Sequence, residues 1–323
     1  MISESNQLML DNIINAEEEQ KINDFEKNKP MSIHWELRTI LYLGILLFTA
    51  GIGILIYKNI ETIGHQAIIG LITLCTGGCF YYTYKHKLPY SHLQVKHGSP
   101  FFDYIVLLGC LLFGILIGYL QFQYSAFGLH YGIATLIPAA IFLISAYTFD
   151  HKGVLSLAIS GIAAWAGLST QPTQLLYQND FSSLTIIYTS IALGLMLGLI
   201  GLVSEQKNIK AHFAFSYHNF ALNLMAIASL SALFSFELKL VSFVFLIAIG
   251  FYYFKYAVKR QSFLFLVLSI IYSYIALTYV VFSTLAEIHL GEAIFMLGFL
   301  YVMLSCAGIV MFFLYYKRIL KIK

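Results

Sequence analysis

The feature that most constrains this sequence is a series of runs, each about 20 residues long, that are apolar on every face. YLGILLFTAGIGILIY and FLFLVLSIIYSYIALTYVVF are examples. Helices in a water-soluble core alternate apolar and polar faces, so they do not account for such runs. With 59% hydrophobic and 11% charged residues, the chain is predicted to fold in a lipid bilayer.

The runs divide the chain into about ten predicted transmembrane helices, which makes the fold class all-α, a polytopic helix bundle. The predicted spans are residues 37–57, 64–84, 101–122, 129–149, 153–170, 184–203, 214–234, 239–255, 262–282 and 293–316. A short cytosolic helical hairpin over residues 1–36 precedes the bundle of residues 37–316, and a basic cytosolic tail over residues 317–323 follows it.

The positions of Lys and Arg give the predicted orientation, because cytoplasmic loops retain positive charge during insertion. With the N-terminus inside, 17 of the 19 basic residues fall on the cytoplasmic side, and Lys58 and Lys239 fall outside. Aromatic residues such as Trp35, Tyr253 and Tyr316 stand at the cytoplasmic helix ends, where the headgroup layer favours them. Both termini are therefore predicted to be cytoplasmic.

The N-terminal hairpin is predicted from its caps. Asn15 and Glu18 are spaced as an N-cap pair of the capping-box kind, and Pro30 ends the helical pattern. Packing on the cytoplasmic face of the bundle is favoured over docking of a cytosolic partner protein. At the other end, the tail YYKRILKIK predicts membrane anchoring on anionic lipids.

The first 75 residues also have a recognisable order. The acidic segment IINAEEEQKINDFEKN is followed closely by a Trp and by a glycine-punctuated span, with Gly44, Gly51 and Asn59 along it. This order resembles the opening of the bacterial membrane proteins known as domain of unknown function 2157, although Ile60 stands where that family commonly has Trp. The resemblance implies a multi-pass protein of the bacterial inner membrane, and it implies no activity.

A polar stripe on the seventh span is the best candidate for a path within the bilayer. His212, Ser216, Asn219 and Asn223 recur at helical spacing. A substrate or water path is one interpretation, and hydrogen bonding between helices is the favoured one. His218 lies off this stripe and is predicted to be an interfacial histidine.

The outer face is predicted to be acidic, and it offers a second group of polar residues. The candidate cluster is His65, His130, Asp180, Glu287, His289 and Glu292. His289 and Glu292 share a helical spacing, but two ligands do not make a metal site. Cys75 and Cys79 lack nearby partners as well, so no metal or other cofactor is predicted.

Small residues recur four apart on three spans, which predicts close helix packing. They are Gly114 and Gly118, then Ser156, Ser160 and Ala164, and then Gly194 and Gly198. Pro138 in the fourth span is a weak pointer to a kink and a binding site.

Several function classes are disfavoured. The basic residues form no continuous patch for nucleic acid, and the sequence contains no HExxH, GxSxG, phosphate-binding loop or CxxC motif. A mid-membrane acidic or basic residue, which ion-coupled transporters usually carry, is also missing from the predicted spans.

The leading hypothesis is uncoupled transport of a small neutral or amphipathic solute. Two alternatives stay open: a scaffold that recruits a partner through the hairpin, and a lipid-directed enzyme built from groups such as His65 and His130. Ten spans would permit two inverted five-helix halves, but no internal sequence repeat supports them. The sequence leaves the oligomeric state open.

Overall fold

A computed structural model describes residues 15, 17–18, 21, 34–95, 100–128, 130–170, 183–235, 239–287 and 293–321. The chain divides into two units, Met1–Ile54 and Leu55–Lys323. In the first unit, the N–H of Asn15 donates to Glu18 Oε2 at 2.9 Å, and the N–H of Glu18 donates to the Asn15 carbonyl at 3.0 Å. The predicted pairing of Asn15 with Glu18 is confirmed, and most of the remaining hairpin lies outside the described residues.

The described residues form ten α-helices, numbered α1 to α10. They are α1 (His34–Ile63), α2 (His65–Lys85), α3 (Pro100–Tyr124), α4 (Tyr131–Phe149), α5 (Lys152–Thr170), α6 (Leu184–Gln206), α7 (Ala214–Ser235), α8 (Lys239–Arg260), α9 (Phe263–Glu287) and α10 (Ala293–Ile319). A turn of 3-10 helix, Ala211–Phe213, precedes α7.

Each predicted span falls on one of these helices. Nine of the described helices are long and apolar enough to cross a membrane, and α1 contains a shorter apolar stretch, Thr39–Leu55. No strand occurs in the described ranges, so the all-α class is confirmed for them. The C-terminal ends of α1, α8 and α9 extend past the predicted spans, because helical hydrogen bonding continues beyond the first polar residues.

Helix α7 lies at the centre of the second unit, and α10 lies at its periphery. In the apolar window of the α7 span 44% of the residues are buried, compared with 6% in the window of the α10 span. Leu230 and Leu233 of α7 pack with Leu246 of α8 and Ala276 of α9 in one hydrophobic cluster. Most side chains of α10 face outward, where lipid is the solvent that suits them.

Glycines bring neighbouring helices close together. A Cβ added to Gly194 would lie 2.6 Å from Cγ of Met225, so α6 approaches α7 as the small-residue pattern predicts. A Cβ on Gly161 would lie 2.8 Å from Cβ of Ala139, so α5 approaches α4 equally closely. Ser160 and Ala164 are exposed in the single chain, so their close packing against a helix of another subunit, which the same small-residue pattern allows, stays a prediction.

The turns of the second unit lie at two opposite ends of the bundle, because consecutive helices reverse direction. Residues 86–95, 150–151 and 207–213 form the Asp150 face. Gly64, residues 125–128 and residue 130 belong to the opposite end, the His65 face. The Asp150 face is the one predicted to be cytoplasmic from its charges, and that orientation stays a prediction.

Candidate functional site

Asp150 joins three turns of the Asp150 face. It follows α4 in the left-handed conformation (φ 58°), and its side chain is only 4% exposed. Oδ2 accepts from Lys210 Nζ at 3.1 Å and from the Val95 N–H at 2.5 Å, and Oδ1 pairs with Nε2 of His212. We call Val95, Asp150, Lys210 and His212 the Asp150 node. It holds together loops that are far apart in sequence.

Lys210 is the charge that the node neutralises. Its side chain is 1% exposed, and its ammonium lies 5.1 Å from the centroid of the Tyr90 ring. Its backbone N–H donates to the His92 carbonyl at 2.8 Å, which fixes the turn that carries it. A buried lysine without a counter-charge would be strongly unfavourable, so Asp150 has a structural role here.

The largest of the cavities described here lies between α3, α4 and α5. Its volume is about 620 Å³, within the range of small-molecule sites. We call it the Pro138 groove, and its walls include Gly118, Gln121, Tyr131, Ala134, Pro138 and Phe142. None of the described residues that line it carries a charge.

The groove runs inward from the His65 face. Its lining on α4 extends from Tyr131 to Phe142, which at 1.5 Å per residue is about 16 Å along the helix. That is about half the thickness of a bilayer hydrocarbon core. The groove lining therefore extends along roughly half of the length that a membrane-spanning helix needs.

Gln121 shapes the open end of the groove. Its Nε2 donates to the Gly128 carbonyl at 2.9 Å, and its Oε1 accepts from the Phe127 N–H at 2.9 Å. Ser125 and Gly128 both have positive φ, which lets the chain turn sharply around this amide. One buried side chain thus fixes the mouth of the groove.

Pro138 alters the wall of the groove. Proline has no N–H, so the carbonyl of Ala134 lacks its usual helical partner four residues on. Ala134 and Pro138 both line the groove, beside the hydroxyl-bearing Tyr131 and Thr135. The sequence pointer to Pro138 therefore coincides with a cavity.

Phe142 is the innermost residue of the groove lining on α4. A Cβ on Gly114 of α3 would lie 3.3 Å from Cζ of Phe142, so the ring packs against α3 where that helix has no side chain. Beside it, the close contact of Gly161 with Ala139 seals α4 against α5. A solute in the groove would meet this aromatic ring before reaching the Asp150 face.

The structure divides the predicted polar stripe between different partners. His212 belongs to the Asp150 node, Ser216 is buried, and Asn219 is half-buried. Asn223 Nδ2 donates to the Asn219 carbonyl at 2.8 Å, and Asn223 Oδ1 accepts from the Tyr272 hydroxyl at 2.5 Å. Both ends of the stripe thus bond to protein groups, in keeping with the favoured interpretation, and its role as a path stays a prediction.

His218 was placed at the interface by sequence pattern, and this prediction is wrong. Its side chain is completely buried between α6, α7 and α8. Gln121 and Phe142 were missed as well, since neither belongs to a motif. Pro138 and the small residues Gly114 and Gly118 were the sequence signals that indicated their surroundings.

The predicted outer-face cluster is not assembled by the residues that the structure describes. His65 Nδ1 lies 2.6 Å from the Tyr119 hydroxyl, and Glu287 pairs with Lys239 at 3.6 Å. His130 is exposed at the start of α4. Asp180, His289 and Glu292 lie outside the described residues. Within the described ranges, no group of three His, Cys, Asp or Glu could hold a metal ion.

Comparison with known proteins confirms the family resemblance. Residues 6–155 match the family described as "Predicted membrane protein (DUF2157)", which is 150 of the 323 residues. The match extends well beyond the first 75 residues and includes helix α1 with Gly44, Gly51 and Asn59. No curated protein and no solved structure matches the chain.

Proposed function

We propose that this chain, an integral membrane protein similar over residues 6–155 to the DUF2157 family, passes a small neutral or amphipathic solute through the Pro138 groove. The observation that carries the proposal is the groove itself. It has a volume of about 620 Å³, a mouth shaped by Gln121 and a largely apolar interior whose lining also includes the hydroxyl-bearing Tyr131 and Thr135. This combination suits a molecule with one polar end.

The absence of charge from the described lining supports uncoupled passage. Ion-driven transporters usually bind the coupling ion at a charged residue within the membrane. A neutral solute needs no such residue, and it would move down its own gradient.

Phe142 has the position of a gate in this proposal. The groove ends at its ring, so the solute advances toward the Asp150 face only when the ring turns away from Gly114. Rotation of one aromatic side chain is a small movement compared with separation of helices α4 and α5, which Gly161 and Ala139 hold in contact.

Flux into proteoliposomes tests the proposal. Glycerol, erythritol and urea serve as neutral solutes, and stopped-flow light scattering measures their entry with and without an imposed pH gradient. We expect entry faster than into protein-free vesicles and unchanged by the gradient. Ala134→Phe, which fills the groove, should slow entry about tenfold, a barrier increase of about 1.4 kcal/mol.

Ala140→Phe is the matched control, because Ala140 lies on the same helix and is exposed on its outer surface. Equal slowing by both variants, or entry that requires the pH gradient, would overturn the proposal. Deletion of residues 1–30 separates it from the scaffold alternative: transport through the groove should survive the deletion, whereas a hairpin-dependent function would not.

A further inference from the structure

A second site, independent of the Pro138 groove, is indicated by an unsatisfied histidine. His218 of α7 is completely buried, with its Nδ1 3.4 Å from the Tyr253 hydroxyl and its ring centroid 4.6 Å from that of Tyr256. Its Nε2 has no hydrogen-bond partner within the part of the chain that the structure describes. Buried side-chain polar atoms are nearly always paired, so this nitrogen requires an explanation.

Neither tautomer of the imidazole removes the problem. If Nδ1 carries the proton and donates to Tyr253, then Nε2 is an unpaired acceptor. If Nδ1 accepts from Tyr253, then Nε2 carries the proton and is an unpaired donor. In both cases one polar atom is desolvated without compensation.

The charged groups nearby already have partners of their own. Glu205 Oε1 accepts from the Tyr256 hydroxyl at 2.5 Å, and Glu205 Oε2 pairs with Nη2 of Arg260 at 2.6 Å. The carboxylate and the guanidinium therefore neutralise each other. Neither of these groups supplies a hydrogen-bond partner to Nε2 of His218.

A cavity of about 270 Å³ lies beside this histidine, between α6, α7 and α8. His218 and Tyr253 contribute to its wall, and the remaining surface is mostly apolar, including Met225 and Ile249. Leu199 and Tyr252 also line it, and both are exposed on the surface of the bundle. The cavity can therefore be entered from the lipid.

We propose that this cavity binds a neutral amphipathic molecule with a hydroxyl headgroup, which pairs with Nε2 of His218 once the imidazole turns slightly toward the cavity, while the hydrocarbon chain lies along Leu199, Met225 and Ile249. A hydroxyl both donates and accepts, so it satisfies Nε2 in either tautomer. The site lies outside the part of the chain that matches the family, and it shares no lining residue with the Pro138 groove.

Photolabelling of the full-length protein in lipid nanodiscs tests this site. The probe is octanol with a diazirine on its chain, and the matched probe is the diazirine of octane, which has no hydroxyl. Mass spectrometry locates the label. We expect the alcohol to label peptides of α6, α7 and α8 around the cavity at least tenfold more than the alkane.

Two substitutions distinguish the contributions of Nδ1 and Nε2 to binding. His218→Asn keeps a polar atom near the position of Nδ1 and removes Nε2, so labelling by the alcohol should fall about tenfold, to the level of the alkane. His218→Gln places its amide near the position of Nε2 and should retain most of the labelling. Equal labelling of wild type and His218→Asn would overturn the proposal.

A cavity-filling variant keeps the test decisive if changes at His218 prevent folding. Ala248 lines the cavity and is exposed, so Ala248→Trp should fill the space without disturbing the buried packing. We expect it to abolish labelling by the alcohol, whereas Ala140→Trp on α4 should leave labelling unchanged. Alcohol labelling of wild type no stronger than alkane labelling would mean that water alone occupies the site, and would also overturn the proposal.

Discussion

Two regions of the molecule differ in how their buried polar side chains are hydrogen-bonded. Between α3 and α5, both amide atoms of Gln121 and both carboxylate oxygens of Asp150 bond to protein groups. Between α6 and α8, only one of the two ring nitrogens of His218 does so. All three side chains are buried. In the first region the polar groups are satisfied by the protein, so they shape the groove and fix the loops. In the second region one group is left for a ligand. Burial alone therefore does not separate an architectural polar residue from a binding one; the state of its hydrogen bonds does.

The largest expected effect is the loss of the Asp150 carboxylate. Asp150→Ala leaves Lys210 buried without its counter-charge, and removing one partner of a buried pair typically destabilises by about 3–5 kcal/mol. Thermal unfolding in a mild detergent should show a large fall in Tm. The control is Glu287→Gln, which breaks an exposed pair with Lys239 and should change stability by about 1 kcal/mol or less. Similar Tm values for the two variants would show that the node is not structural.

The next effect concerns the wall of the groove. Gly161→Val should destabilise the protein by about 1–3 kcal/mol, because even its Cβ would lie 2.8 Å from Cβ of Ala139 and would force α4 and α5 apart. Gly118→Ala in the same groove is the matched variant, since a Cβ there would meet no atom within 4 Å. It should leave the Tm unchanged or raise it. If the Tm fell equally for both variants, the destabilisation would come from replacing glycine and not from contact between α4 and α5.

A smaller pair of effects tests the contrast between Gln121 and His218 directly. Gln121→Leu should destabilise by about 1–3 kcal/mol, because it leaves the Gly128 carbonyl and the Phe127 N–H without their partner. His218→Leu removes the unpaired Nε2 but also the long contact of Nδ1 with the buried Tyr253 hydroxyl, so the two effects partly offset and the free energy of unfolding without added ligand should change by about 1 kcal/mol or less. If His218→Leu were the more damaging change, His218 would belong with the structural residues.

The sequence predicted the helices well because an apolar run of about 20 residues indicates a membrane-spanning helix by itself, whichever helices pack beside it. The predicted spans leave Asp150 between the fourth and fifth helices, but nothing in the sequence pairs it with residues 95, 210 and 212, which meet only in three dimensions. On α5, Ser160, Gly161 and Ala164 are all small residues. Their size alone does not indicate which of them packs against α4; in the structure it is Gly161, which contacts Ala139.

His218 was misplaced for a related reason. A polar stripe identifies a single buried face when the rest of the helix meets water or lipid, but α7 packs against α5, α6, α8 and α9. Its polar residues can therefore be buried on more than one side. Asn223 and His218 lie on different sides of α7, bonded to α9 and α8 respectively.

Passage of solute through the Pro138 groove depends most on Phe142, the proposed barrier. Phe142→Ala removes the ring at the closed end, so solute entry into proteoliposomes should accelerate about tenfold, a barrier lower by about 1.4 kcal/mol. The variant should still show no dependence on a pH gradient, and the added Ala134→Phe change should reverse the acceleration. An entry rate equal to that of wild type, with the variant folded, would contradict passage of solute through the Pro138 groove.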